Sequence, residues 1–362
     1  MIRKDFVELR LAKGPVPHYN EMVKLAKPIL EILIEEYGSY ELVYRFSDAL
    51  WFQCFACLLG FEWNYSGMTT VTIKAVKDAL KDSNLPIKVF GGKGKDSIKI
   101  LEEIENSEIK NKEEIKRASI LSAKADNVEL QDGYDLYFHS IILDENGNYS
   151  IINQKMNIES QKVRRLHWIT NTKKFEEEPH NEIIGAKEKI VLNLFHRESA
   201  ETRKAIIDIV KDYTPEKIEK TLIMLDKKQE QKLLIDYINM NGYEIVKLPY
   251  HFKIPTKINK KALEIAKAAE NFEELLSING IGKDTIRGLA YIANIIFGSR
   301  LSWKDPIKFT YAHGTKAGKP YYVDKERMLK EAEILKQAVE EAKIGNKEKI
   351  SVLKRLAKIV EI

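Results

Sequence analysis

Residues 122–140 place carboxylates, a lysine and a histidine close together in the chain. The stretch SAKADNVELQDGYDLYFHS contains Lys124, Asp126, Asp132 and His139. Metal-assisted cleavage of a phosphodiester needs oxygen ligands for a hard cation and a cationic or basic group nearby. We therefore predict catalytic roles for these four residues, with Asp126, Asp132 and His139 as ligands of Mg²⁺ or Mn²⁺ and Lys124 as a charge stabiliser. The equally good alternative is a helix end and turn that use the acidic residues as caps.

A Gly-Ile-Gly turn is the second candidate, within LLSINGIGKDTIRGLA at residues 275–290. Gly280 and Gly282 permit backbone angles and close approaches that larger side chains block. The backbone amides at the start of the following helix can bind a phosphate, to which Lys283 adds a positive charge and Thr285 a hydroxyl. These four residues are therefore predicted to bind DNA or RNA. The alternative is a corner between two helices whose glycines serve packing alone.

The charge distribution favours a polyanionic partner. The whole chain has a formal net charge of +5, whereas residues 251–320 alone hold ten Lys and two Arg against four Glu and two Asp, a net +6. A local positive field attracts nucleic acid, and the Gly-Ile-Gly turn lies inside this segment. Solvated lysines that happen to cluster explain the charge alone equally well.

Two further basic groups are predicted to extend such a contact. Lys93 and Lys95 lie in the GGKGK loop, which follows a strand-like run and precedes a helix-like one but lacks the spacing of a Walker A loop. Arg164 and Arg165 lie in RRLHW, whose basic and aromatic residues suit phosphate binding and base stacking.

The elements that position these residues are helices around a β-hairpin. In YDLYFHSIILDENGNYSIINQKMN, residues 134–157, two β-rich runs meet at Asn146-Gly147, a favoured two-residue hairpin turn. Such a turn predicts that His139 faces Gln154. Both faces of this hairpin are rich in apolar residues, so the sheet is predicted to be covered on both sides.

The fold class is predicted to be α+β, a mainly helical chain with a small covered antiparallel sheet. We expect an α+β domain over residues 1–175, a helical domain with the Gly-Ile-Gly turn over 199–315 and a helical extension over 316–362. No apolar run reaches the 18 residues of a membrane span, and the charged N-terminus lacks the apolar stretch of a signal peptide, so a cytoplasmic location is expected. Cys54 and Cys57, the two cysteines of the chain, are predicted to pack as small hydrophobic residues.

A first resemblance concerns the Gly-Ile-Gly turn. The stretch NFEELLSINGIGKDTIRGLAYIANIIFG is similar to the helix-hairpin-helix motif of DNA repair proteins in its apolar, Gly-x-Gly and Thr positions. That motif binds the DNA backbone without reading base sequence, as phosphate contacts do in general. Its occurrence in base-excision glycosylases implies an alternative in which Asp305, 23 residues after Gly282, supports a developing sugar cation. Asp284 stands where the lyase-type members have a lysine.

A second resemblance covers nearly the whole chain. The stretches SAKADNVELQDGYDLYFH, NQKMN, RRLHW, EEPH, YAHG and GGKGK resemble DUF763, an uncharacterised family of archaea and thermophilic bacteria. This resemblance implies one fold unit and assigns no activity. The chain departs from the family pattern at Lys155, where a glycine is expected, and at LRLAKGPVPHYNEM near its start, which lacks a Leu-His-Gly-Gly character.

These observations predict a protein that binds the DNA backbone and processes or repairs DNA. The favoured reaction is metal-dependent cleavage of phosphodiesters in damaged or branched DNA. The alternatives are a base-excision glycosylase, a non-catalytic DNA-binding protein, and an enzyme that acts on small phosphorylated metabolites through the GGKGK loop. Release of free base would indicate a glycosylase, and binding that leaves the DNA intact would indicate a non-catalytic protein. An absence of DNA binding would indicate the enzyme that acts on small metabolites.

Overall fold

The computed structural model of the chain describes residues 18–60, 67–81, 83–170, 175–227, 252–307 and 325–360. Its helices and strands confirm the predicted α+β class. The YAHG segment at residues 311–314 lies outside the described residues, as do the first residues of the chain and those around the predicted boundary at 315.

Four helices form an N-terminal layer: α1 (Tyr19–Tyr37), α2 (Ser39–Ser47), α3 (Ala49–Leu59) and α4 (Gly67–Leu80). Asp48 caps α3, because its carboxylate accepts hydrogen bonds from the N–H groups of Leu50 and Trp51. Every residue of α3 is buried, and it includes Cys54 and Cys57, which are buried as predicted. No single described helix has the length and apolar content of a membrane span; α2 and α3 reach them only when joined across a 98° bend.

A five-stranded antiparallel sheet lies at the centre of the molecule. Its strands, in spatial order, are β1 (Ile87–Lys93), β3 (Asp135–Asp144), β4 (Tyr149–Asn157), β5 (Lys162–Ile169) and β6 (Glu182–Gly185). A separate two-stranded ribbon pairs β2 (Leu130–Gln131) with β7 (Leu192–Asn193). Both faces of the central strands β3 and β4 are buried, which confirms a covered sheet.

The predicted register of the hairpin is wrong by one residue. Leu143 lies opposite Tyr149, so His139 faces Asn153 rather than Gln154. The loop is wider than two residues because the Asp144 carboxylate accepts hydrogen bonds from the backbone N–H groups inside it. Since neighbouring residues of a strand point to opposite faces, the shift gives His139 a partner on the other side of the sheet from Gln154.

The remaining helices follow the strands in two groups. The first group is α5 (Lys95–Ile98), α6 (Ile100–Glu105) and α7 (Lys112–Lys124), which continues into a π-helical turn at Ala125–Glu129. The second group is α8 (Ala200–Asp212), α9 (Pro215–Lys227), α10 (Lys260–Ala266), α11 (Phe272–Ser277), α12 (Lys283–Phe297), α13 (Lys325–Glu341) and α14 (Asn346–Val360).

The sheet separates two hydrophobic cores. One face packs against the N-terminal helices around Phe46, Phe55 and Ile152, and α13 and α14 join this core through contacts with α3. The other face packs against α7 and the helices from α8 to α12, around Trp168 and Leu289. This second core is continuous between the sheet and the helices around the Gly-Ile-Gly turn, so packing fixes where that turn lies relative to the sheet.

Candidate functional site

The glycine turn, residues 278–282, joins α11 to α12 as the sequence predicted. Asn271 caps α11 by accepting a hydrogen bond from the N–H of Glu274. Ile281 is fully buried between the two helices. Gly280 has a φ of 90°, and a Cβ there would lie 2.6 Å from Nδ2 of Asn259. Only glycine therefore fits at residue 280.

The glycine turn is held from one side by residues 124–135. Lys124 Nζ donates a hydrogen bond to the carbonyl of Ile281 at 2.5 Å, and Gln131 donates to the carbonyl of Lys283 at 2.9 Å. Lys283 in turn forms an ion pair with Asp135. Burial lowers the pKa of Lys124. The structure thus gives Lys124, which was predicted to be catalytic, a contact with the glycine turn.

The opposite side of the glycine turn is open. A Cβ on Gly282 would meet nothing within 4 Å, and no side chain caps α12. Among the described residues, the backbone N–H groups of Lys283, Asp284 and Thr285 have no acceptor. They border a surface depression of about 430 Å³, whose lining residues are Lys257, Ile258, Asn259, Gly280, Gly282, Lys283, Asp284 and Thr285.

The GGKGK loop lies beside the start of β3, the end of the strand at which Asp135 pairs with Lys283. Lys93 and Lys95 are exposed, and neither forms an ion pair with a described residue. The N–H of Gly94 donates to the carbonyl of Tyr137, and Lys93 Nζ lies 6.0 Å from the centre of the Tyr137 ring. Tyr137 is two residues along β3 from Asp135, about 7 Å, so this loop lies near Lys283.

The π-helical turn carries a fully buried carboxylate, Asp126. Its Oδ2 accepts hydrogen bonds from Asn153 Nδ2 at 2.6 Å and from Trp168 Nε1 at 3.1 Å. Its Oδ1 is bonded to His180 Nε2. Side chains from two strands and from the segment before β6 therefore converge on one residue of the turn, and π-helical turns are frequent at functional sites.

A buried chain of hydrogen bonds runs from Asp126 to Ser119. Asn153 Oδ1 lies 2.5 Å from His139 Nδ1, and Ser119 Oγ lies 2.7 Å from His139 Nε2. Because Asn153 gives its amide N–H to Asp126, its oxygen must accept from His139 Nδ1–H. His139 Nε2 therefore accepts from the Ser119 hydroxyl. Burial lowers the pKa of His139, which favours this neutral form.

Glu129 is the second carboxyl group of the π-helical turn. Its side chain is fully buried, and neither carboxyl oxygen has a hydrogen-bond partner among the described residues. Burial raises the pKa of Glu129 well above its ordinary value; the positive charge of Arg203 opposes this shift, and Glu176, Glu273 and Asp126 add to it. Burial therefore favours the protonated, neutral form of Glu129.

Asp132 belongs to a different buried cluster. Its carboxylate accepts hydrogen bonds from Lys155 at 2.8 Å, from Arg164 at 3.0 Å and from the N–H of Tyr134 at 3.1 Å. Burial opposes ionisation of Asp132, but Lys155 and Arg164 outweigh it and lower its pKa. Burial lowers the pKa of Lys155 to about 8, against the opposing effect of Asp132.

Asp305 completes this second cluster. Its carboxylate pairs with Arg164 and accepts hydrogen bonds from the N–H groups of Glu188 and Ile307. The side chain is 1% exposed. The geometry gives Asp305 a structural task at the joint between β5 and the chain after α12.

Arg164 and Arg165 are both fully buried and point to opposite faces of the sheet. Arg165 donates to His167 Nε2 at 2.9 Å and to Gln53 at 3.0 Å, and its guanidinium lies 4.5 Å from the centre of the Phe52 ring. Neither arginine is a surface group, so we leave both out of the DNA interface for which the sequence predicted them.

The three predicted metal ligands are not brought together. Asp126 and His139 share Asn153 as a partner, whereas Asp132 is bound by Lys155 and Arg164. Within the ranges the structure describes, no three His, Cys, Asp or Glu side chains form a group that could hold a metal ion. The short strand β2 separates them: Asp126 lies on the π-helical turn before β2, and Asp132 lies directly after it.

Sequence analysis missed Glu129 and Asn153. Glu129 follows Asp126 by three residues, a spacing that places two side chains on one face of a helix, and that signal could have found it. Asn153 was hidden by the one-residue error in the register. Asn153 donates a hydrogen bond to Asp126, and Glu129 lies on the same π-helical turn. The buried polar centre therefore contains more residues than the sequence analysis predicted.

The fold and the site define an α+β protein in which a buried polar centre on a π-helical turn adjoins a glycine turn between two helices. The family model described as Protein of unknown function (DUF763) matches residues 5–323. The chain therefore belongs to DUF763, which confirms the resemblance to that family. Neither a curated protein nor a solved structure gives a significant match.

Proposed function

We propose that the chain binds the sugar-phosphate backbone of DNA at the N-terminus of α12, as part of a DNA-processing or DNA-repair function. The observation that carries the proposal is the open face of the glycine turn. Three consecutive backbone N–H groups without an acceptor among the described residues border a depression that Lys257 and Lys283 also line.

This surface suits a phosphate group. The N-terminus of a helix carries a partial positive charge, and its free N–H groups can donate to phosphate oxygens. Lys257 is exposed and forms no ion pair with a described residue. Lys283 pairs with Asp135, whose side chain is 79% exposed. An ion pair this exposed contributes at most about 1 kcal/mol, so a phosphate can replace Asp135 at little cost.

The GGKGK loop extends the proposed surface. Lys93 and Lys95 are exposed cations beside the same end of β3 that Lys283 contacts. Backbone amides and lysines bind phosphates but do not distinguish bases. We therefore expect binding that is insensitive to base sequence and that weakens steeply with salt.

Two glycine substitutions test the proposed surface. At Gly282 and at Gly67 a Cβ meets nothing within 4 Å, and neither glycine has a positive φ, so a side chain can be added at both without a clash at Cβ or backbone strain. Gly282→Glu places a negative charge at the phosphate site and should weaken binding of labelled duplex DNA about tenfold or more, a change of about 1.4 kcal/mol. Gly67→Glu adds the same charge on α4 and should leave the affinity unchanged. Equal affinities of the two variants in fluorescence anisotropy would contradict the proposal.

Phosphodiester cleavage is the reaction we propose for the bound DNA. Support comes from the carboxyl and histidine side chains around the π-helical turn, which Lys124 and Gln131 connect to the glycine turn. The test is a gel assay on single-stranded, duplex, branched and base-damaged DNA, with and without Mg²⁺ or Mn²⁺. Strand breaks support cleavage, release of free base indicates a glycosylase, and intact DNA limits the function to binding.

A further inference from the structure

The geometry points to Glu129 as the proton donor of the cleavage reaction, with Asp126 as the base, beneath a cover formed by residues 175–180. This inference rests on the proposed function, because it takes DNA as the substrate. Of these two carboxyl groups, Asp126 was predicted from the sequence and Glu129 was not.

The unpartnered state of Glu129 is the first observation. A buried polar group without a hydrogen bond costs about 1–3 kcal/mol, and such groups are rare in folded proteins. The guanidinium of Arg203 does not relieve this cost, because it donates to the carbonyls of Leu194 and His196 and to Glu177. A residue that lowers stability in this way is typical of a functional site.

The contrast between the two carboxyl groups is the second observation. Asp126 receives hydrogen bonds from Asn153, Trp168 and His180, whereas Glu129 receives none from the described residues. Two carboxyl groups on one turn, one surrounded by donors and the other buried without a protein donor among the described residues, are the arrangement by which enzymes separate a base from an acid.

The connection to the proposed DNA site is the third observation. Lys124 lies one residue before the π-helical turn, and Gln131 lies two residues after Glu129. Both donate hydrogen bonds to the backbone of the glycine turn and the first residue of α12. The same short segment therefore carries the two carboxyl groups and holds the surface to which we assign DNA.

The cover is held by aromatic and polar contacts. Phe175 stacks on Trp168, and His180 packs against Trp168 and Phe195. The N–H of Phe175 donates to Glu273, Glu177 pairs with Arg203, and His180 is bonded to Asp126. The N–H of Glu178 also donates to the carbonyl of Phe195. Movement of the cover would take His180 away from Asp126 and expose both carboxyl groups of the π-helical turn to the substrate together.

The proposed step balances without a further reactant. The oxygen of a water molecule attacks the phosphorus atom, and its proton passes to the Asp126 carboxylate. The bond between phosphorus and the leaving nucleoside oxygen breaks. Glu129 gives its proton to that oxygen, so the products are one strand with a hydroxyl end and one with a phosphate end.

Glu129→Gln tests the inference, with Ser150→Ala as a matched control. Glu129→Gln replaces a buried carboxyl group without a partner among the described residues by an amide that cannot act as the acid. Ser150→Ala removes a buried hydroxyl that also has no such partner, on β4 outside the proposed centre. We expect Glu129→Gln to bind DNA like the wild type but to cleave it at least about 100-fold more slowly, because proton transfer by a positioned group contributes about that much. Ser150→Ala should cleave at the wild-type rate. Wild-type cleavage by Glu129→Gln would overturn the inference.

A pH series of unfolding midpoints adds a readout that activity does not supply. A carboxyl group whose pKa is raised on folding contributes stability below its ordinary pKa of about 4.3 and loses it as the pH rises. The wild type should therefore lose stability relative to Glu129→Gln between that pH and neutrality. A midpoint difference that is independent of pH would show an ionised Glu129 and overturn the assignment.

The failures of the two proposals are distinguishable. A wild-type protein that binds DNA in a salt-dependent way but leaves every DNA structure intact overturns the acid–base assignment and leaves the binding proposal standing. A wild-type protein that does not bind DNA overturns both proposals.

Discussion

Asp132 lies among three donors, Lys155, Arg164 and the N–H of Tyr134. Its sequence neighbours Lys124 and His139 suggested shared chemistry, but neither contacts it through a hydrogen bond or ion pair in the structure. Local spacing shows which residue types occur together along the chain. Contacts across a sheet depend instead on register and on the face a residue occupies, and those follow from packing of the whole strand.

Asp132→Asn should destabilise the protein strongly. It leaves the buried charges of Lys155 and Arg164 without this carboxylate, and removal of one partner from a buried ion pair costs about 3–5 kcal/mol. The double variant Asp132→Asn/Lys155→Met should regain at least about half of the loss, measured as the free energy of unfolding in urea. If the double variant is no more stable than Asp132→Asn alone, the two side chains are not coupled.

The same variant has an expected pH dependence. The pKa of Lys155 is about 8 in the folded wild type, and loss of the Asp132 charge lowers it further, so the folded wild type binds more protons than the folded variant just below that pH. The stability difference between the two proteins should therefore shrink as the pH rises through about 8. A difference that is constant over this range would contradict the assigned ion pair.

At the scale of elements, helices followed the sequence closely and the β-hairpin did not. Asn259 and Asn271 cap the starts of α10 and α11, and Gly345 lies in the break between α13 and α14. The hairpin depended on one dipeptide, Asn146-Gly147, and the side chain of Asp144 competed with it. A single polar side chain can change a loop, whereas a helix averages over many residues.

Lys124→Met tests how the π-helical turn supports the glycine turn. The substitution keeps the apolar length of the side chain but removes its hydrogen bonds to the carbonyls of residues 278 and 281, at a cost of about 1 kcal/mol. We expect faster hydrogen exchange at the amide of Ile281, which is bonded to Ile278, and weaker DNA binding. Lys116→Met is the control, because Lys116 lies on the same helix but pairs with Glu105 and Glu113 instead of the glycine turn; it should leave that exchange rate unchanged. Equal exchange in both variants would show that the glycine turn is held by packing alone.

At the scale of the whole molecule, the sheet divides the cores in a way that no local pattern indicated. The predicted domains were placed along the chain, one before residue 175 and one after 199. The core that contains Trp168 crosses this interval and includes Leu289. The other core unites the first four helices with the last two. Chain order predicts neighbours in sequence, whereas burial of a two-sided sheet requires helices from distant parts of the chain.

Removal of α13 and α14 is the corresponding test. These helices lie beyond residue 323, where the family match ends, but their buried residues pack against α3, in which every residue is buried. A chain that ends at residue 323 exposes one side of α3. Each large apolar side chain that loses its cover costs about 1.5–3 kcal/mol, so the unfolding temperature should fall by several degrees or more.

Binding of a hydrophobic dye to the shortened chain should rise, and a peptide of residues 324–362 added in trans should reverse both effects. DNA affinity measured well below the unfolding temperature should be unchanged, because α12 packs in the other core. An unchanged unfolding temperature would show that α3 is covered without the last two helices.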